Sequence, residues 1–222
     1  MADCPSIDME DSSGAILIAY KDISAGGENK ASMRRKLSTG DWDLISAGDL
    51  FTIGEAQYIS MAQYSSLPFI GCVDVGSNSQ PAVYYYTGGG IGLLGGVFVD
   101  TAESRYTSAD LDSSGVVYLA YKRMTDNALV VKKFAGSWGE PGGTGSSVVT
   151  NAVGDALSLF VYNTTPYVAY QDTGNSNRAS VRVWDGSSWQ LVGSAGFSSN
   201  AVESLSLYVY GPNNVYIAYR DI

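Results

Sequence analysis

Hydrophobic and polar residues alternate along short stretches of this chain, and the same alternation returns about every 50 residues. The clearest copy is LSLYVYGPNNVYIAYRDI at 205–222, where two alternating stretches flank a turn of Gly, Pro and Asn. Related segments occur at 7–22, 59–74, 109–123 and 157–172. A period of two residues predicts β-strands with one buried face. A fixed longer period predicts a repeat architecture.

The aromatic residue of the second stretch in each copy sets the length of the repeat. Tyr121, Tyr170 and Tyr219 recur at intervals of 49 residues, and Tyr20 lies 101 residues before Tyr121, which is two intervals. Cys72 stands at the intermediate position. Because this position belongs to the predicted inner part of a strand, we interpret Cys72 as a buried thiol.

Each repeat predicts four short strands joined by turns. In the copy at 157–204, a third strand at 179–184 is followed by Asp185 and Gly186, a strong hairpin signal, and by a fourth strand that begins at Trp189. No segment shows a convincing helical period of 3.6 residues. Four-stranded antiparallel units of this length are typical of propeller blades.

The sequence therefore predicts an all-β fold, a five-bladed β-propeller with four-stranded antiparallel blades and an incomplete last blade. It is predicted as a single domain over 1–222, with repeats at about 6–58, 59–106, 107–156 and 157–204 and a partial repeat at 205–222. A four-bladed ring with an extra hairpin is the alternative. The open edge of the half-blade favours covering by a loop or by a second subunit, so a homo-oligomer is one predicted use of that edge.

The composition limits which binding partners and which catalytic or metal sites this protein can have. The net charge is −9 with 13 basic and 22 acidic residues, which argues against nucleic acid or an anionic membrane as a partner. The sequence contains no histidine, which excludes Ser-His-Asp triads, Cys-His dyads and His-containing zinc sites. No apolar run approaches a membrane span and the acidic start lacks a signal core, so we expect a soluble protein whose compartment is left open.

A family resemblance rests on PYVAYQD at 166–172 and SVRVWDGSSWQLVGSAGFS at 180–198. These repeats resemble those of many bacterial propeller-repeat proteins. They are also similar to the Asp-box repeats of the sialidase superfamily, although the box at 184–189 is compressed. The resemblance implies a propeller, and in Asp-box proteins the box is structural. It does not carry sialidase activity over, because no arginine triad is recognisable.

Charged residues recur where the second strand of each repeat ends, and they are the candidate binding residues. If the strands form a ring, these residues surround one mouth of it: Asp22, Asp74, Arg123, Asp172, Arg220 and Asp221. Each Asp could instead cap its own loop by accepting backbone N–H bonds. In a second interpretation these residues bind a polar ligand such as a sugar. In a third they bind calcium, which prefers oxygen ligands.

Two further features bear on function. Asp22 and Asp221 could supply the paired carboxylates of a glycosidase, but no catalytic residue is assigned. Trp42, Trp138 and Trp189 open equivalent fourth strands, which favours packing between blades over a sugar platform. We therefore predict a non-catalytic module that binds carbohydrate or another polar ligand at the axial face or between blades. No cofactor is predicted. A glycosidase-like enzyme and a structural or protein-interaction propeller are the alternatives.

Overall fold

The computed structural model describes residues 6–10, 13–24, 26–36, 40–44, 50–86, 88–143, 145 and 147–222. They fold into β-strands and three short 3-10 turns, with no α-helix in these ranges. None of the helical segments in the described ranges is long and apolar enough to cross a membrane. Cys4 lies outside the described residues.

The chain divides into two compact units, 1–109 and 110–222. The first contains two four-stranded sheets, whose strands pair in chain order: β1 (Ser6–Met9), β2 (Ile16–Lys21), β3 (Ala31–Lys36) and β4 (Trp42–Leu44), then β5 (Ala56–Tyr64), β6 (Leu67–Asp74), β7 (Gln80–Tyr86) and β8 (Ile91–Leu93). The 3-10 turns Val75–Ser77 and Leu94–Gly96 follow β6 and β8.

The second unit begins inside β9 and continues the same pattern. Its strands pair in chain order in two four-stranded sheets and one two-stranded sheet: β9 (Ser104–Leu111), β10 (Val117–Arg123), β11 (Ala128–Phe134) and β12 (Trp138–Gly139); β13 (Val153–Tyr162), β14 (Thr165–Asp172), β15 (Arg178–Trp184) and β16 (Trp189–Leu191); β17 (Val202–Gly211) and β18 (Asn214–Asp221). A 3-10 turn, Thr173–Asn175, follows β14.

These sheets confirm the all-β class and the four-stranded antiparallel units that the sequence predicts. The first strands β5, β9, β13 and β17 begin three or four residues before the corresponding predicted boundaries. Trp42, Trp138 and Trp189 open the fourth strands as expected. Trp189 is buried but Trp42 is exposed, so packing between sheets explains only part of that recurrence.

The core of each unit lies between consecutive sheets. In the first unit, Leu17 and Met33 pack with Ile70 and Cys72. In the second unit, one cluster joins β10 and β11 to β13 and β14, and another joins β14 and β15 to β17 and β18. The Cys72 side chain is fully buried, and this burial raises the pKa of its thiol, so the group stays protonated.

Side-chain oxygens also join the first strands of consecutive sheets. In both units an oxygen on one first strand accepts a backbone N–H of the next first strand, at distances of 2.6–3.0 Å: Ser6 from Met61 in the first unit, and Asp110 from Val161 and Ser158 from Leu207 in the second. These bonds fix the spacing between consecutive sheets within each unit.

Candidate functional site

Asp74 stands at the end of β6 and is fully buried. Its carboxylate accepts the backbone N–H groups of Ile53, Gly54 and Gly76 at 2.7, 3.0 and 3.1 Å, and the Tyr84 hydroxyl at 2.9 Å. Four donors fill the acceptor positions of a carboxylate. The ligand-binding role predicted for Asp74 stays a prediction, and this geometry favours the alternative role as a loop cap.

Asp172 is the equivalent residue at the end of β14 and is also buried. It accepts the Ser180 hydroxyl at 2.7 Å, the Asn175 side-chain amide at 2.9 Å and the Tyr170 hydroxyl at 3.4 Å. Burial raises the pKa of Tyr170, which keeps that hydroxyl a donor. Asp172 therefore holds the loop after β14 against β15.

The other predicted residues are more open to solvent. Asp22 accepts the backbone N–H of Ser24 at 2.9 Å, and hydrogen bonds from Ser24 lower the pKa of its carboxyl. Arg123 donates to both oxygens of Asp126, at 3.0 and 2.7 Å. Hydrogen bonding by Arg123 lowers the pKa of Asp126.

Arg220 and Asp221, at the end of β18, are exposed, and Arg220 forms an ion pair with Glu203. The six predicted residues belong to two units, so their arrangement around one mouth stays a prediction. Within the described residues there is no group of three or more Asp, Glu, Cys or His side chains that could hold a metal ion.

A groove of about 700 Å³ lies in the second unit, where the β9–β12 sheet meets the β13–β16 sheet and the turn after β17. Sequence reasoning did not find it, because its residues are scattered over five segments. The lining residues combine carboxylates, an ammonium group, hydroxyls and aromatic rings: Asp112, Val116, Tyr118, Lys133, Ala135, Pro141, Thr164, Thr165, Tyr167, Val183, Trp184, Asp185, Gly186 and Pro212.

The turn at 112–116 forms one wall of the groove. One oxygen of Asp112, Oδ1, accepts Ser114 N–H at 2.9 Å, the Ser114 hydroxyl at 2.6 Å and Val116 N–H at 3.0 Å. Ser113 donates its N–H to the carbonyl of Asn163 at 2.8 Å, which ties this turn to the one after β13. The second oxygen, Asp112 Oδ2, accepts no hydrogen bond from the described residues and remains an acceptor for a ligand.

Lys133 and Tyr118 are directly opposite each other in the β10–β11 pair. Lys133 makes no ion pair with the described residues, so its ammonium group is a donor available to the groove. Burial raises the pKa of Tyr118, and the nearby Asp112 carboxylate raises it further. The Tyr118 hydroxyl therefore stays protonated at neutral pH and can donate.

Trp184 and the turn after it form the opposite wall. The Trp184 and Trp189 rings meet edge to face, with centroids 5.7 Å apart. This contact orients an aromatic surface in the groove lining, the kind of surface on which apolar sugar faces pack. Asp185 Oδ1 accepts the N–H groups of Ser187 and Ser188, both at 2.8 Å, and the Ser187 hydroxyl at 2.9 Å.

These bonds predict an unusually acidic carboxyl at Asp185. Backbone hydrogen bonds from Ser187 and Ser188 lower its pKa from 3.8 to about 2. Because the folded pKa is depressed, the stabilisation by this turn is complete above the unfolded value and disappears as pH falls through about 2. An NMR titration of the Asp185 carboxyl carbon should show a midpoint near pH 2.

Ser187→Ala is the matched variant for this titration. It removes the donating hydroxyl and should move the midpoint of Asp185 upward, because a hydrogen bond to the charged form is lost. A parent midpoint at the ordinary value of 3.8 would contradict the turn geometry.

The equivalent position in the first unit is occupied differently. Glu10 donates its N–H to the carbonyl of the residue after the turn glycine, Ala15, as Asp112 does to Val116, and Arg35 is opposite Leu17 as Lys133 is opposite Tyr118. Asp11, the residue directly before Ser-Ser-Gly in the first repeat, lies outside the described residues. Glu10 and Arg35 form an ion pair with each other. The same two positions thus neutralise each other in the first repeat, whereas in the third repeat both groups remain available to a ligand.

No protein-family model matches the chain, and no curated protein matches it either. Solved structures do resemble it. A fungal lectin from Aleuria aurantia, described as a six-bladed β-propeller with a novel fucose recognition mode, is 14% identical, with 99% of this chain and 72% of that chain covered and a TM-score of 0.62.

Two further structures give the same fold. The SapL1 lectin in complex with α-methyl fucoside is 14% identical, with 99% of this chain and 73% of that chain covered and a TM-score of 0.70. An α-L-arabinofuranosidase from Clostridium thermocellum is also 14% identical, with 100% and 82% covered and a TM-score of 0.55. At these identities the likeness establishes the fold alone: the chain is built as a β-propeller.

Proposed function

We propose that this chain is a non-catalytic carbohydrate-binding module, and that its sheets are the blades of one five-bladed propeller with an incomplete last blade. The observation that carries the proposal is the groove of the second unit. It brings a free acceptor at Asp112, a free donor at Lys133 and the ring of Trp184 into one lining. Sugar hydroxyls need donors and acceptors together, and sugar ring faces pack on aromatic surfaces.

The charge of the lining narrows the class of sugar. Asp112 and Asp185 carry two negative charges against one positive charge on Lys133, and the whole chain carries −9. Repulsion therefore disfavours sialylated, sulfated or uronic-acid ligands. Neutral sugars are the ligands that the groove fits. The similar fungal and SapL1 lectins, whose descriptions name fucose or a fucoside, support a sugar ligand of this class.

The charged residues at the ends of the second strands remain a second proposed location. Arg220 and Asp221 are its solvent-exposed members, and Asp22 and Arg123 are partly exposed. Asp74 and Asp172 would support such a site by holding their loops, because their carboxylates already accept several hydrogen bonds. Calcium dependence of binding would favour this location over the groove.

A glycosidase is the alternative function, and the similar arabinofuranosidase motivates it. Hydrolysis needs one carboxyl with a raised pKa to act as general acid. In the groove, Asp185 has the opposite property, since hydrogen bonds lower its pKa to about 2. Binding without turnover is therefore the better-supported function.

A glycan-array screen of the whole chain tests the proposal. We expect selective binding of neutral glycans at two protein concentrations, unchanged when calcium is removed. Titration calorimetry on the best glycan should give one class of site, and 4-nitrophenyl glycosides of the same sugars should not be hydrolysed. An array without selective signals would contradict carbohydrate binding, and turnover of the glycosides would establish the alternative.

A further inference from the structure

The way in which β13–β14 packs on β17–β18 defines two complementary surfaces. One is aromatic and consists of Phe160 and Tyr162 on β13 with Tyr167 and Ala169 on β14. The other is aliphatic and consists of residues on the facing strands: Leu207, Val209, Val215 and Ile217. The two surfaces enclose one hydrophobic cluster, in which Tyr167 is buried.

The aromatic surface occurs a second time, on the opposite side of β17–β18. Tyr208 and Tyr216 are direct partners in the strand pair, and Tyr210 and Ala218 lie beside them. The Tyr208 ring also meets Phe160 edge to face, with centroids 5.1 Å apart, so Tyr210 and Tyr216 form the open part of this surface. We call Tyr208, Tyr210, Tyr216 and Ala218 the tyrosine face. In the repeat they correspond to Phe160, Tyr162, Tyr167 and Ala169. Yet Tyr210 is 71% exposed and Tyr216 59%.

The aliphatic surface also occurs a second time, on β1–β2. Ile7 is opposite Ile18 and Met9 is opposite Ile16, so the four side chains share one side of that sheet. We call them the aliphatic face. Ile7 is 65% exposed and Met9 61%. Large apolar side chains exposed together, rather than scattered singly, mark an interaction surface.

We propose that the tyrosine face of one copy of this chain binds the aliphatic face of a second copy. In this contact, aromatic side chains of one molecule pack on aliphatic side chains of the next. The same kind of packing joins β13–β14 to β17–β18 within the chain. Tyrosines in such a surface supply large contact area and are frequent interface anchors. This inference does not depend on the proposed sugar ligand, but it requires that the last half-blade of the proposed propeller does not close the ring on β1–β2 of the same chain.

The proposed contact joins two different surfaces, so it is head-to-tail. Such a contact adds copies until a ring closes, or builds an open chain if the geometry does not close. Each copy carries a charge of −9, so repulsion opposes association at low ionic strength. The average mass should therefore rise with protein concentration and rise further when salt screens the repulsion.

Analytical ultracentrifugation of the whole chain is the test, with two variants and a control. Tyr210→Glu places a negative charge in the tyrosine face, and Met9→Glu places one in the aliphatic face. Each variant should therefore stay at the single-copy mass of 23.5 kDa. Val97→Glu places the same charge on an exposed residue of neither face and should associate like the parent. Circular dichroism should show that all three fold, since the replaced side chains are exposed.

Mixing the two variants gives the decisive result. Each retains the face that the other has lost, so an equimolar mixture should form a complex of two copies and no larger species. If Met9→Glu still associates by itself, the contact joins like faces and the head-to-tail proposal is wrong. If the parent stays at 23.5 kDa at every concentration and salt, the two faces cover each other within one chain or have another occupant, such as further strands or a different protein, and the proposal is also wrong.

Discussion

Replacing Asp74 by alanine is expected to lower the free energy of unfolding by about 4 kcal/mol. The change removes a fully buried acceptor, which takes three backbone N–H groups in partly buried bonds and the Tyr84 hydroxyl in a buried bond. Each buried donor left without a partner costs about 1–3 kcal/mol, and a side chain without oxygens cannot replace any of the bonds. Urea unfolding followed by circular dichroism measures the loss.

The close approach of two loops makes Asp74 hard to replace. A Cβ atom added at Gly54 would lie 2.6 Å from the backbone of Gly76, so the two loops touch through their main chains. Asp74 bonds to both loops, and no side chain can enter between them. Asp74→Asn keeps one acceptor oxygen and should therefore lose less stability than Asp74→Ala.

Asp22→Ala is the matched control. Asp22 stands at the same place in the first repeat but is only half-buried, and among the described residues Ser24 alone donates a backbone N–H to its carboxylate. We expect its removal to cost less than about 1 kcal/mol, as for other surface residues. Equal losses for the two variants would show that the buried bonds of Asp74 do not stabilise the fold as argued.

Lys133→Ala is expected to weaken binding of the tightest neutral glycan on the array by about tenfold or more. Lys133 has no ionic partner among the described residues, so its contribution is available to a ligand. A hydrogen bond to a charged group contributes about 1.5–3 kcal/mol, and 1.4 kcal/mol is a factor of ten in affinity. Titration calorimetry measures the change, and thermal unfolding should be unaffected.

Lys132→Ala is the control for this experiment. Lys132 precedes Lys133 in β11, points to the other side of the sheet and is absent from the groove lining. The Lys132→Ala substitution removes the same charge from nearly the same place, so any general electrostatic effect on binding appears in both variants. If both lose affinity equally, or neither does, the sugar does not bind against Lys133 and the groove is not the site.

The burial of individual residues could not be predicted from the repeat alone. Asp22, Asp74, Asp172 and Asp221 occupy equivalent positions in the sequence, yet Asp74 and Asp172 are buried, Asp22 is half-buried and Asp221 is exposed. The difference comes from contacts far along the chain. Asp74 is enclosed because residues 53 and 54 donate to it across about 20 positions of sequence. A periodic pattern carries no information on such partners.

The groove was missed for a related reason. The Asp112 turn, Lys133, the turn before β14 and Trp184 belong to different strands and turns, and each resembles an ordinary strand or turn residue in the sequence. A partial signal exists: a carboxylate one or two residues before a Ser-Ser-Gly turn and a basic residue in the third strand recur in repeats one and three. Only the packing shows that the first pair is joined and the second is open.

The sequence by itself determined the strands, because alternation of apolar residues and turn chemistry act over a few residues. The hairpin at 185–188 and the tryptophans that open the fourth strands follow from local rules. Tertiary structure alone decided which carboxylates are buried, where a ligand-sized groove opens and which apolar faces stay exposed. Those properties depend on which sheets pack together, since burial and free hydrogen-bonding groups are set by neighbours distant in sequence.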